Sequence, residues 1–196
     1  MSDNAITVPG NRGAVLAERL PGTRVKDVTL VVGFVVALAA SAQIAVPLPF
    51  TPVPITMQTF VVLLGAAAMG SSLSVTGAAV YVGLGVAGVP WFAITGGATL
   101  GYIVGFVFAA ALVGRLARSG HDRRPLGVLG LMVAGNLVIY AFGVPVLAAV
   151  AGLGMAEALA AGVVPFLIGD ALKMALAAII LPSTWRLVSR RDSVHD

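Results

Sequence analysis

Apolar positions along this chain run in long blocks, and polar positions gather in the gaps between them. The blocks cover 28–46, 56–69, 74–87, 100–117, 125–151 and 163–185. As a helix, 28–46 is about 28 Å long, enough for a bilayer core of about 30 Å. The blocks 56–69 and 74–87 are shorter, about 21 Å each, and are split by Gly70-Ser71-Ser72. They read as two short spans, with one re-entrant hairpin as the alternative. Periodicity does not choose between these, because both pieces are apolar all round. The pattern predicts an all-α membrane protein: a six-helix transmembrane bundle over 28–187, with polar tails at 1–27 and 188–196. The first tail reads as a mostly disordered segment.

The gaps differ in kind. Residues 47–58 read PLPFTPVPITMQ. Pro47, Pro49, Pro52 and Pro54 forbid a regular helix, since each lacks an amide donor and restricts its predecessor. The segment still carries Leu48, Phe50, Val53, Ile55 and Met57, which a solvated loop would not. It is expected to fold back over the bundle as a stiff lid, with Thr51, Thr56, Gln58 and Thr59 aiming hydrogen-bonding groups inward. The link 88–98, GVPWFAITGGA, carries Trp91, either a membrane-interface anchor or a stacking surface for a flat ligand. The gap 152–162 holds one acid, Glu157.

Inside the spans, small residues mark close helix contacts. Gly101 and Gly105 form a GxxxG, and Tyr102 beside them is placed to line a pocket. Ala37, Ser41 and Ala45 recur at intervals of four on the first span. That face packs within the bundle or docks a partner protein. Asn136 needs partners if buried, from a neighbouring helix or from a ligand. The fifth span is expected to bend at Gly143-Val144-Pro145. Pro165 falls in the first turn of the sixth span and Pro182 near its end.

Composition agrees with this pattern. The 196 residues are 59% hydrophobic and 10% charged, with mean hydropathy +1.02, where a soluble domain has about 25% charged residues. There is no Cys. The pI near 10.1 does not signal nucleic acid, because the basic residues flank the spans. Nor does the N-terminus read as a signal peptide, since the first apolar run starts only after a long polar stretch. Apart from Lys173, every Lys and Arg lies in the first tail, in the loop Arg115–Arg124, or after Trp185. Six spans put these three on one side, which the positive-inside rule makes cytoplasmic. The two proline-bearing links and Glu157 then face outward.

Two charges break the rule that spans are apolar. Asp170 and Lys173 lie one helical turn apart on one face of the last span. A charge at membrane depth costs at least about 2.5–3.5 kcal/mol, so the two must pair or face a polar cavity. Asp170 can accept N–H bonds and Lys173 can donate to a carbonyl or carboxylate. A ligand with an N–H/C=O/N–H edge and an apolar body suits them. Enzyme chemistry has little to work with. There is no GxxxxGK[ST], GxSxG or HExxH, both His lie outside the spans, and Asp170 is the sole acid within them. No metal site, catalytic residue or cofactor is expected.

These residues resemble the substrate-binding (S) component of biotin transporters of the energy-coupling-factor (ECF) type, the BioY family. PLPFTPVPITMQT, 47–59, looks like that family's first outer loop. Gly88-Val89-Pro90-Trp91-Phe92-Ala93 and Gly101-Tyr102-x-x-Gly105-Phe106 look like its middle signature, and Pro165-Phe166-Leu167-Ile168-Gly169-Asp170-x-x-Lys173 like its last. The match spans about Ala37 to Leu181. It implies a six-helix S-component fold, with cytoplasmic termini, in the cell membrane, binding biotin from outside. Asp170 and Lys173 match the family's charged pair, and Gln58 and Tyr102 its motif positions. Thr56, Trp91 and Asn136 complete the expected binding set. Ala37, Ser41 and Ala45 resemble the docking surface for the transmembrane coupling subunit, which works with two ATPase subunits. One departure stands in the pocket wall. Gly97-Ala98-Thr99-Leu100-Gly101-Tyr102 replaces a longer Gly-rich loop ending Gly-Pro-Thr-x-Gly-Tyr.

Two other readings compete: a self-sufficient, proton-coupled carrier of biotin or another small vitamin using Asp170, and a structural membrane protein without ligand. A homo-oligomer is compatible with each.

Overall fold

The computed structural model describes residues 14–20, 22, 24–92 and 97–192, with side chains as far as Arg190. The expectations for tail residues 1–13 and 193–196, and for Ala93 and its three successors in the second link, lie outside the described residues.

The chain order is α1 (Arg24–Gln43), a hairpin of β1 (Ala45–Leu48) and β2 (Thr51–Thr56), α2 (Gln58–Val86), α3 (Leu100–Arg118), α4 (Pro125–Ala151), α5 (Met155–Gly162) and α6 (Leu167–Asp192). Single 3-10 turns lie at Leu16–Arg19, Pro90–Phe92, His121–Arg123 and Val164–Phe166. Among the described residues, five helical segments are long and apolar enough to cross a membrane, α5 and α6 counting as one continuous stretch.

The break expected between 69 and 74 is a reversal at Gly70. Its φ of 77° and ψ of 173° are open to glycine and strained for other residues. The Gln58 side-chain amide donates to the Tyr81 hydroxyl at 2.7 Å. Twenty-three residues of straight helix would separate them by about 34 Å. The two halves of α2 therefore lie side by side. Gly65 on one half and Gly77 on the other both abut the Phe34 ring of α1.

Close approach recurs where α3 meets its neighbours. A Cβ on Gly114 would lie 2.3 Å from the Ser71 amide nitrogen, and one on Gly101 2.5 Å from the Phe142 carbonyl oxygen. The GxxxG thus seats α3 against α4. The middle of the molecule is a dry core of Leu38, Leu63, Val113, Met132 and Ile139, all nearly inaccessible to solvent.

Several boundaries correct the expectations. The first helix stops at Gln43, because the proline-rich segment enters an antiparallel hairpin that pairs Ala45 with Thr56 and Leu48 with Thr51. In a two-stranded ribbon every strand is an edge, so Pro47, Pro52 and Pro54 are tolerated. The link 152–162 contains a helix, α5. Gly152 ends α4 with a left-handed φ of 66°, and the Gly154 amide donates to the Glu157 carboxylate at 3.1 Å. Pro165 sits in the 3-10 turn before α6. Pro182 lies inside α6, which continues to Asp192.

The basic end is closed by buried polar contacts. Asp122 is inaccessible to solvent and takes the indole N–H of Trp185 on α6. Its other oxygen, Oδ1, has no hydrogen-bond partner among the described residues. The Arg123 guanidinium lies 4.5 Å from the Trp185 ring centroid. Part of the expected disordered tail joins this end: Ala14, Val15 and Ala17 are buried, and Glu18 pairs with Arg118 at 2.8 Å. Burial pushes the Asp122 carboxyl above its ordinary range, against the pull of the Trp185 bond.

Two outcomes follow. Gly114→Ala must displace backbone, so it should lower stability by about 1–3 kcal/mol. Gly33→Ala, in the interior of α1 with open space around it, should leave stability unchanged or raise it by up to about 1 kcal/mol. Thermal unfolding in detergent compares them. The raised Asp122 pKa makes its stabilising contribution full below the unfolded value of about 3.9, and that contribution fades as pH rises through the folded value. Asp122→Asn keeps an acceptor for Trp185 and lacks this loss. Its melting temperature relative to the parent should therefore rise between pH 4 and pH 8.

Candidate functional site

At the end opposite the basic loop, the helices enclose a cavity of about 250 Å³. Its floor is buried, and among the described residues its other end reaches the surface at the exposed Gln43 and Trp91. Asp170 and Lys173, 4% and 7% exposed, project into it from α6. Trp91, 71% exposed, stands at the rim with Gln43, Ala45 and Pro90. The hairpin covers one side: Val53 turns inward, and Pro54 and Thr56 line the wall. The stiffness that the prolines impose thus serves a wall on one side of the cavity, where the sequence predicts a lid over the bundle.

The charged pair is held by three helices. Lys173 Nζ lies 3.4 Å from Asp170 Oδ1 and donates to Thr59 Oγ1 on α2 at 2.8 Å. Tyr140 on α4 donates its hydroxyl to Asp170 Oδ2. Each carboxylate oxygen therefore has a donor, and the charges sum to zero. That satisfies the requirement that buried charges be paired and hydrogen-bonded.

The aromatic wall is fixed in the same way. The Tyr102 hydroxyl donates to the Gly162 carbonyl at 3.0 Å, and its ring meets Tyr140 edge-on at 6.4 Å. The Thr56 hydroxyl donates to Gln58 Oε1 at 3.1 Å while the Gln58 amide donates to Tyr81. Tyr81 accepts there, which leaves its own proton for a ligand. Phe106, Ile139 and Phe166 supply apolar surface. The chamber offers a carboxylate acceptor and an ammonium donor at its base, hydroxyl groups around them, and an apolar sleeve above. That arrangement has the donor–acceptor set and the shape to suit a small molecule with a compact N–H/C=O head and an apolar body.

Six of the expected residues line this cavity together: Thr56, Gln58, Trp91, Tyr102, Asp170 and Lys173. Asn136 does not. It is buried, but lies one turn below the lining residue Tyr140 on α4, away from the cavity. The face Ala37/Ser41/Ala45 does not exist as a helical stripe. Ala37 is exposed, Ser41 is buried and donates to the Leu38 carbonyl at 2.8 Å, and Ala45 belongs to β1 at the cavity rim. The helix ends at Gln43, so a spacing of four carries no meaning beyond it. Sequence reasoning misses Tyr140 and Tyr81 as site residues, and places Thr59 only as an inward-facing hydroxyl beside the lid. A phenol hydroxyl inside an apolar span, as at Tyr140 and Tyr81, is the signal that finds them.

A chain of membrane-length apolar helices closed around such a chamber is a multi-pass membrane protein of a solute-binding type. Its fold is similar to the crystal structure of an S-component for biotin from an ECF-type ABC transporter, with a TM-score of 0.74. The likeness covers 83% of this chain and 92% of that one at 20% identity. The chain belongs to the BioY family, whose model matches residues 14–190. The "Probable biotin transporter BioY" of Pyrococcus horikoshii is 38% identical over 164 residues, 80% of this chain and 94% of that protein. The "Biotin transporter BioY" of Thermotoga maritima is 37% identical, covering 75% of this chain and 88% of its own. The protein of that name from Rhizobium etli is 31% identical over 79% and 90% of the two chains.

The pair predicts an asymmetry in stability. Lys173→Met leaves Asp170 buried without its counter-charge and should cost about 3–5 kcal/mol. The double variant Asp170→Leu/Lys173→Met should recover much of that loss. Melting temperatures of the two variants and the parent, without ligand, measure it.

Proposed function

We propose that this chain is the biotin-specific S component of an ECF-type transporter. It binds biotin and delivers it across the membrane together with a transmembrane coupling subunit and two ATPase subunits. The observation that carries this is the charge-balanced Asp170–Lys173 pair at the base of an open chamber, in a chain of the BioY family.

The chemistry matches the ligand. The cyclic urea of biotin presents N–H, C=O and N–H on one edge. Asp170 accepts from an N–H, and Lys173 donates to the carbonyl. Tyr81 and Tyr140 stand beside that head, and Phe106 and Phe166 pack on the fused rings. Trp91 and the hairpin cover the ligand from above.

Counting the two halves of α2 as separate spans gives six, which puts the start of α1 and the end of α6 on the basic side. The positive-inside rule then supports cytoplasmic termini, a location in the cytoplasmic membrane and a chamber that opens outward. The exposed residues Gly33, Val36, Ala37 and Ala40 form the α1 face proposed for the coupling subunit, in place of the broken Ser41/Ala45 stripe. The proton-coupled carrier is disfavoured, because Asp170 is already engaged by Lys173 and Tyr140.

Radiolabelled biotin binding to the purified chain tests the reading. Asp170→Ala and Lys173→Ala should each weaken binding at least about 30-fold, the equivalent of about 2 kcal/mol for a bond to a charged group. Parent-like affinity in both variants would remove the assignment. Uptake in cells should stop when the ATPase subunits are deleted and should survive a protonophore that leaves ATP intact.

A further inference from the structure

Biotin has a second polar end, a carboxylate on a flexible chain, and the distribution of charge in this protein says where it goes. Between Lys26 and Arg115, and between Arg124 and Arg186, Lys173 is the sole Lys or Arg in the sequence. The cavity is built from those two stretches, so no second cation borders it. Lys173 itself is committed: Asp170 neutralises it at 3.4 Å, and Thr59 takes another of its protons at 2.8 Å. A ligand carboxylate on the floor would stand beside the Asp170 carboxylate with one ammonium between two anions. That leaves a net negative charge in a buried site, which folding and binding avoid. The rim is different. Gln43 and Trp91 are exposed and uncharged, and a carboxylate there keeps its water.

We infer that the site grips the urea head alone and leaves the acid end at the solvent-facing mouth, held by neutral groups. This rests on the biotin reading above and extends it to a substrate class: biotin together with its carboxyl amides and esters. Negative charge on the tail contributes little to affinity, and a small neutral group in its place is accommodated.

Competition against radiolabelled biotin on the purified full-length chain tests this with biotin, biotinamide and biotin methyl ester. The amide and ester should bind within about threefold of biotin. A loss of more than tenfold for both would overturn the inference, because it would mean that a cation or a closed, charge-selective pocket recognises the carboxylate. Lys173→Met provides the second arm. It should weaken biotin and biotinamide by the same factor. If it weakens biotin alone, Lys173 holds the carboxylate and the inference is wrong. Failure of the parent reading looks different: biotin itself would then not bind, whatever its tail.

Discussion

Two opposite charges on one turn of α6 set the terms for the rest of this molecule. Each alone would be intolerable among apolar helices, and together they still need partners for their remaining hydrogen-bonding capacity. Those partners come from elsewhere in the chain. Thr59 arrives at the start of α2, just beyond the hairpin, and Tyr140 arrives late in α4. The pair therefore ties together three helices far apart in sequence. It does so at the base of an open chamber, so the same groups that satisfy each other remain within reach of a ligand's hydrogen bonds. A buried pair of this kind adds little net stability compared with apolar packing, and its presence fits a binding role better than a structural one.

The two ends of the bundle are built on different principles. One end is dense: the turn at Gly70, the glycine contact at Gly114, the loop with buried Asp122 and the segment 14–19 lock against one another. The other end is held apart by bulky aromatic rings and by a stiff hairpin, and keeps a void. Glycine lets backbones touch along α2, α3 and α4. Tyr81, Tyr102, Tyr140 and Phe166 take the corresponding space at the far end. A flexible polar loop over the chamber would lose entropy on each binding event, whereas proline has restricted the hairpin in advance.

The neutral rim gives the chamber a vectorial character as well. A ligand meets uncharged groups first and charged groups last. On the proposed reading, desolvation of the ligand head is compensated at full depth, by Asp170 and Lys173.

Much of this was written along the chain in one dimension. Membrane class follows from block length and apolarity, which need no fold. The reversal at Gly70, the helix α3, the extended course of 47–58 and the pairing of Asp170 with Lys173 follow from local rules of glycine, proline and helical spacing. What only the tertiary structure decided is which side chains from different elements meet. Tyr140 was chosen for the site and Asn136 was not, although both lie on α4, because the depth of the cavity is set by how α2, α4 and α6 cross. Ala45 was taken from a helical stripe into a strand because pairing with Thr56 outweighs continuation of α1. Asp122, in the basic loop between α3 and α4, is buried because Trp185 from the last helix folds over it. Local steric rules act within a few residues and so can be read directly. Contacts such as these depend on long-range packing, in which many weak interactions compete and no short stretch of chain holds the answer.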